Sequence, residues 1–546
     1  MYSYFNSNKN KRNRSIPFFL LLSFSIGLSN IACGQQWGYV VFKDKGIHDN
    51  AFQNNFSPAA IQRRFLQNIA WDERDVPVSE EYISMVEVYS DSTFGTSRWL
   101  NALVVRATEE NWNFISKLSC VQEIDLLQEH AMLATEVPSA LPPNYPSEYY
   151  KEEIQNQIEL LEPKQFSERE LFGKNTIIAI FDAGFSDSDN ADQLSHLFSN
   201  NQIAATKDFL NKTEKVYSHS VHGTEVLTFL AGKNDSIQFG LATEATYLLA
   251  RVTPNMGFFR FLNDVQWIQA LEWADEKGAS LVNSSLSFTN QLYERKDLNG
   301  RTCKISIAAN TAMDKGILVV NAAGNELQNS WEIIGAPADA ERIITVGSVN
   351  PTTGYVSSFS SVGPTSDGRL KPDVCAPGEL IYPEDGEYTR IQGTSFAAPL
   401  VCGFAACVRQ LHPEWNTEKL WQEIRKSGSL YPYFDYAHGF GIPSASYFFF
   451  EVLEKPNVYS VQFNTDSLNC NNILTINRSD TLEIEENYSS PVAFIQFVKS
   501  TGEVFKYNVS RPQNKVIASI PVEEFVGCKL RIVYDRHFFE IPIPQE

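Results

Sequence analysis

Apolar and polar positions divide the chain into blocks with different periods. From about Tyr150 to Leu453, short and nearly unbroken apolar runs alternate with helical patterns. The runs Thr176–Phe181, Tyr247–Val252, Leu281–Asn283, Ile317–Asn321 and Ile343–Val346 predict strands covered on both faces, as a parallel sheet requires. Between them, Val265–Lys277 and Thr302–Lys315 carry helical spacing. This order predicts an α/β fold with a doubly wound, mostly parallel sheet. In such sheets chemistry gathers beyond the carboxyl ends of the strands.

The flanks read differently. Leu100–Arg106 predicts a strand, Thr108–Leu118 a helix opened by Thr108-Glu109-Glu110, and Val121–Leu126 a second strand. Together they predict a small α+β unit. Pro138, Pro142, Pro143 and Pro146 then mark an extended linker. After Pro456 short alternating runs (Val458–Phe463, Thr481–Ile484, Ala493–Phe497, Lys529–Val533) predict a small β-sandwich. The expected division is residues 1–34, an export signal; 35–147, the α+β unit and linker; 148–454, the α/β domain; and 455–546, a β domain.

The export signal rests on Lys9, Lys11, Arg12 and Arg14, the apolar run Ile16–Leu28, and the small residues Ala32-Cys33-Gly34 before Gln35. Its removal leaves no transmembrane helix expected in the mature chain, since no other run is long and apolar enough to span a bilayer. The protein is expected outside the cytoplasm, either extracellular or in a bacterial cell envelope. Lipid attachment at Cys33 is a weaker alternative, because Asn30 stands where an aliphatic residue is usual. A net charge of −20 argues against nucleic acid as a partner, since phosphate needs a basic patch. The eight cysteines show no zinc spacing; Cys402 and Cys407 make poor disulfide partners on one helix, whereas Cys470 and Cys528 could pair.

Three motifs fall at strand ends or helix starts. In Phe181-Asp182-Ala183-Gly184 a carboxylate ends a buried strand. In Val221-His222-Gly223-Thr224 an imidazole opens a helix; His219 lacks the following Gly-Thr. In Gly393-Thr394-Ser395-Phe396-Ala397-Ala398-Pro399 small residues crowd a serine at a helix start, with Pro399 expected in the first turn. Singly these also read as a cap, a helix-start histidine and a capping serine. Jointly they supply what a serine nucleophile needs: a base for its proton and a carboxylate to orient that base. The chain order Asp, His, Ser excludes the chymotrypsin order. Asn321-Ala322-Ala323-Gly324-Asn325 ends another strand, and Asn325 could donate to an oxyanion beside the Ser395 N–H.

These residues resemble the subtilisin-like (subtilase) serine peptidases. The likeness extends to Phe359-Ser360-Ser361, Gly363-Pro364, Lys371-Pro372-Asp373-Val374, Ala376-Pro377-Gly378 and Gly439-Phe440-Gly441-Ile442-Pro443. The resemblance implies a serine endopeptidase with Asp182, His222 and Ser395 as catalytic triad and Asn325 at the oxyanion. It implies a substrate-binding strand at Ser285, Leu286 and Ser287, and a pocket for the residue before the scissile bond (P1) lined by Ala322, Ala323 and Gly324. Ser287 departs from the usual glycine and should narrow that pocket. Phe258, Phe259 and Phe261 replace small polar residues expected near the P4 site, and a core role for these aromatics reads equally well. The resemblance also implies that the block before Ser147 is a propeptide cut off in the proline-rich linker, so that the chain is a zymogen.

No cofactor is required by this chemistry. Many subtilases bind calcium, and Asp187, Asp189, Asn190 and Asp192 form one acidic loop, which reads better as solvated because no ligand spacing is met. The partners expected are polypeptide substrates; oligomeric state is not legible. Two alternatives keep the fold: a maturation protease of narrow specificity, and a binding protein that has lost turnover.

Overall fold

The computed structural model describes residues 34–48, 50–127, 147–254, 262–289, 293–384, 387–449, 459–466, 471–478, 492–510, 518–521, 528–534 and 537–542. Residues 1–33 with Cys33, the linker prolines, Phe258, Phe259, Phe261, Cys470 and the expected strand Thr481–Ile484 lie outside them.

The N-terminal block holds four antiparallel strands: β1 (Gln36–Phe42), β2 (Ser92–Ser97), β3 (Ala102–Ala107) and β4 (Val121–Leu126). They lie in the order β2-β3-β1-β4. The expected strand–helix–strand is β3, α3 (Glu109–Ile115) and β4, with Thr108 Oγ1 accepting from the Asn111 N–H at 3.3 Å as the cap. The sheet centre, β1, was not anticipated. Two further helices, α1 (Pro58–Leu66) and α2 (Glu80–Glu87), lie between β1 and β2.

The central sheet has seven parallel strands: β5 (Ile177–Asp182), β6 (Ile203–Asp208), β7 (Thr246–Arg251), β8 (Leu281–Ser284), β9 (Leu318–Ala322), β10 (Ile344–Val349) and β11 (Val374–Pro377). Their order is β11-β10-β9-β8-β5-β7-β6. Alternate residues of β5 serve the two faces. Ile178 and Ile180 join the core under α7 (His222–Ala231) and α10 (Thr394–Leu411). Ala179 and Phe181 join the core under α8 (Asn263–Lys277) and α9 (Lys304–Asp314). Both faces are covered, which explains the unbroken apolar runs. Shorter helices α4 (Ser147–Asn156), α5 (Pro163–Ser167), α6 (Ser195–Ser199) and α11 (Thr417–Lys426), with the hairpin β12 (Glu379–Glu384) and β13 (Glu387–Gln392), complete the domain.

The C-terminal block forms two antiparallel sheets. One orders β14 (Tyr459–Asp466), β15 (Asn471–Arg478) and β18 (Ala518–Pro521); the other orders β17 (Val504–Ser510), β16 (Ala493–Val498), β19 (Lys529–Tyr534) and β20 (His537–Pro542). The second sheet docks on the α/β domain: Gln496 Nε2 donates to the Phe434 carbonyl at 3.2 Å, and Arg531 stacks 3.8 Å over Tyr433.

Two expectations need correction. Helix α10 is long and apolar enough to cross a membrane by length and composition. Its residues are nearly all buried against the sheet, so it is the core helix of this domain. Pro399 does not lie in the first turn, because the helix starts at Thr394. Its ring therefore removes an interior hydrogen bond, with a consequence at the site.

Candidate active site

Asp182 is the last residue of β5 and is fully buried. Its Oδ1 accepts from the Ala183 N–H at 2.7 Å. Gly184 (φ +151°) then turns the chain, and a Cβ there would lie 2.5 Å from the Ser218 carbonyl. This close approach brings in the loop that delivers His222, the first residue of α7. Gly223 completes the fit, since a Cβ on it would lie 2.2 Å from the Gly184 carbonyl. Thr224 Oγ1 donates to the Ser186 carbonyl at 2.7 Å and ties α7 to the same loop. The result is a short contact: His222 Nδ1 is 2.9 Å from Asp182 Oδ1 and 3.0 Å from Oδ2. His219, the decoy, bridges Gly184 through its backbone and leaves its side chain exposed.

Burial acts to lower the His222 pKa, but the charge of Asp182 and its hydrogen bond, helped by Glu225, outweigh burial and raise it above the ordinary histidine value. Glu225 lies one turn along α7. Burial, opposed by His222 and assisted by Asp182 and Glu384, pushes its carboxyl up to about 7. Sequence reasoning missed this residue; its only signal was a carboxylate three positions after the histidine.

Ser395 is the second residue of α10, and the Phe396 ring next to it lies 5.6 Å from the His222 ring. The two serines 285 and 395 exchange hydrogen bonds. Ser395 Oγ donates to the Ser285 carbonyl at 3.1 Å, and Ser285 Oγ donates to the Ser395 carbonyl at 2.7 Å. The second bond follows from Pro399: with no N–H at Pro399, the Ser395 carbonyl has no helical donor and takes the hydroxyl instead. Asn283 Nδ2 donates to Ser285 Oγ at 3.1 Å and holds that hydroxyl in place. So the proline helps to fasten the Ser285–Ser287 segment to the start of α10.

Asn325 is held by its oxygen. Its Oδ1 accepts from the Thr394 N–H and Thr394 Oγ1, each at 3.0 Å, while Thr394 Oγ1 accepts from the Gly324 N–H at 3.2 Å. With Oδ1 engaged, the Nδ2 donor faces Gly393, 3.6 Å from where a Cβ would stand. Ala322 ends β9 and Ala323 and Gly324 follow it. Leu286 is buried, and its carbonyl accepts from Asn321 Nδ2 at 3.0 Å. Ser287 puts its hydroxyl against Gly324 and Gly335.

Two carboxylates of the acidic loop are engaged by neighbouring side chains. Asp187 Oδ2 accepts from Ser186 Oγ at 2.9 Å and Asp189 Oδ1 from Asn190 Nδ2 at 3.3 Å, and among the described residues no three His, Cys, Asp or Glu side chains converge as ligands.

Residues 173–441 match the subtilase family, and residues 38–140 match the peptidase S8 propeptide domain of Bacteroidota. The chain carries a subtilase domain preceded by a peptidase S8 propeptide domain. Among similar proteins, the thermostable alkaline protease of Halalkalibacterium halodurans is 26% identical over 275 residues, which cover 50% of this chain and 67% of that protein. Subtilisin NAT of Bacillus subtilis subsp. natto is 30% identical over 263 residues, covering 47% of this chain and 61% of that protein. The fold is also that of the epidermin leader peptide processing serine protease from Staphylococcus aureus (TM-score 0.50, 17% identity, covering 75% of this chain and 97% of that one).

Proposed function

We propose that this chain is an exported serine endopeptidase that hydrolyses polypeptides through an acyl-enzyme. The observation that carries the reading is the Asp182–His222 contact, with the ring of Phe396, the residue after Ser395 in the first turn of a buried helix, 5.6 Å from the imidazole. Ser395 Oγ attacks the peptide carbonyl carbon while His222 Nε2 takes its proton. Asp182 holds Nδ1 and stabilises the imidazolium. The carbonyl oxygen gains negative charge and meets Asn325 Nδ2 and the Ser395 N–H, where the α10 dipole also favours it. The C–N bond then breaks, and His222 returns the proton to the leaving amine. A water deprotonated by His222 cleaves the ester, releasing a carboxylic acid and restoring Ser395.

The exchange between Ser285 and Ser395 gives substrate a part in starting this sequence. A peptide added as a strand along Ser285–Ser287 presents an N–H to the Ser285 carbonyl. That N–H replaces the Ser395 hydroxyl there, and a rotation about χ1 turns the hydroxyl to the imidazole. Residues 1–34 act as the export signal, 35–147 as a removable leader with its linker, 148–454 as the peptidase domain and 455–546 as an appended β domain. The test is Ser395→Ala with a casein substrate and a fluorophosphonate probe. Labelling and hydrolysis should fall to background; a mutant that labels and cleaves like its parent refutes the assignment.

A further inference from the structure

Three backbone segments enclose a slot beside the nucleophile. The first is Ser285–Phe288, which the Ser285–Ser395 bonds fasten to α10. The second is Ala322–Gly324, leading to Asn325. The third is residues 334–336: Phe288 and Ala336 exchange two N–H···O bonds of 2.8 Å, and the Gly335 N–H donates to the Ala323 carbonyl at 3.2 Å. With a scissile carbonyl at Ser395 and its oxygen towards Asn325, the resemblance to subtilases implies where the side chain on its acyl side is received. That place is between the first segment and the second.

Ser287 stands in it. A Cβ on Gly335 would lie 2.2 Å from Ser287 Oγ, and a Cβ on Gly324 would lie 2.8 Å from it and 2.9 Å from Ser361 Oγ. The hydroxyl thus reaches from one wall to the glycines of the other two, and the backbone bonds prevent those walls from parting. Ser287 Oγ is also buried and has no hydrogen-bond partner among the described residues. A large apolar side chain pressed into the slot would both overlap it and seal it away from water.

We infer that Ser287 restricts cleavage to bonds preceded by a small residue: glycine, alanine or serine. The inference rests on the endopeptidase reading above and names the substrate class of that site. Its basis is the position of one hydroxyl between two glycines, and it needs no feature of the substrate beyond the P1 side chain.

The test is a fluorogenic peptide series that differs only at P1 (Ala, Ser, Leu, Phe), given to the mature enzyme and to Ser287→Gly and Ser287→Ala. The parent should cleave after Ala or Ser at a kcat/KM at least about tenfold above that after Leu or Phe. In Ser287→Gly the Phe-to-Ala ratio should rise at least about tenfold. Ser287→Ala keeps the Cβ and should fall between, and it decides the question if the glycine variant does not fold. A parent that prefers Leu or Phe, or variants that leave the ratio unchanged, would overturn the inference. Fluorophosphonate labelling is run in parallel. Labelled enzyme with the wrong P1 order sinks this inference alone, whereas unlabelled parent sinks the endopeptidase reading.

Discussion

Neutralising Asp275 should loosen the grip of the N-terminal block on the peptidase domain. Asp275 lies on α8 with its side chain fully buried. Three arginines of the N-terminal block converge on it: Arg63, Arg64 at 3.0 Å and Arg98 at 2.8 Å. Arg64 also pairs with Asp75 at 2.8 Å and stacks 4.3 Å over Trp71, and Arg98 reaches Glu276 at 2.9 Å. Lys315 of the peptidase domain, itself buried, pairs with Asp75 of the block at 2.9 Å. A buried network of this kind is a weak source of net stability against an apolar replacement, but removing one partner strands the others. Such a loss costs roughly 3–5 kcal/mol. Asparagine keeps one acceptor oxygen, so the lower end applies, equivalent to about 10²-fold in affinity. The assay places a specific protease site in the 128–146 linker of the Ser395→Ala chain, cuts it, and measures dissociation of the block by calorimetry. Asp275→Asn should dissociate about 10²-fold more readily, with little dependence on salt because the site is dry. Asp367→Asn is the control: that carboxylate meets Arg369 at 2.8 Å near the surface and should change little. Equal affinities for Asp275→Asn and its parent would show that the arginines are satisfied without it, and the reasoning would fail.

Two predictions concern pH. Asp264 lies beneath Tyr39 of the N-terminal block, accepts from the Val265 N–H at 2.7 Å and Tyr293 Oη at 3.2 Å, and is pushed to about 7 by burial, with Asp125 of β4 adding to the shift. A carboxyl whose pKa is raised on docking favours the docked state below its free value, and that contribution is lost as pH rises through about 7. In the cut chain the block's affinity should therefore fall between about pH 4 and 7, by up to about tenfold per unit. Asp264→Asn should flatten that slope; calorimetry showing the same slope would refute it. At the active site, Glu225 helps to hold the His222 pKa up, and the base must be neutral to work. The acid limb of kcat/KM should lie above the ordinary histidine value, and Glu225→Gln should move it to lower pH. An unmoved limb would show that Glu225 does not act on the imidazole.

The sheet was legible because its strands are covered on both faces. Ile177–Phe181 has no polar position, and only a two-sided core asks for that. The motif residues were legible because each stands where a strand ends or a helix begins, which is where this topology exposes chemistry. Strand β1 was harder: Gln36–Phe42 mixes a polar end, a glycine and buried aromatics, and its central place follows from β3 and β4, which pair with it from far along the chain. Pro399 shows how one residue's meaning turns on a boundary. Placed in the first turn it would be neutral, whereas two residues further into the helix it frees the carbonyl that Ser285 takes.

The charged residues mark where local reading runs out. Arg63 and Arg64 sit on a short helix whose pattern reads as a solvated face, and Glu225 reads as ordinary first-turn acid. What decides their behaviour is burial together with charges remote in sequence, Asp275 for the arginines and Asp182 with Glu384 of the β12 hairpin for the glutamate. Interaction energy between charges scales inversely with the local dielectric, so the same side chain contributes little on a surface and much in a dry contact. Residue identity cannot carry that difference, because it is a property of the packing. The same holds at Ser287, where a hydroxyl that would be unremarkable on an open strand becomes a barrier only because Gly324 and Gly335 close on it.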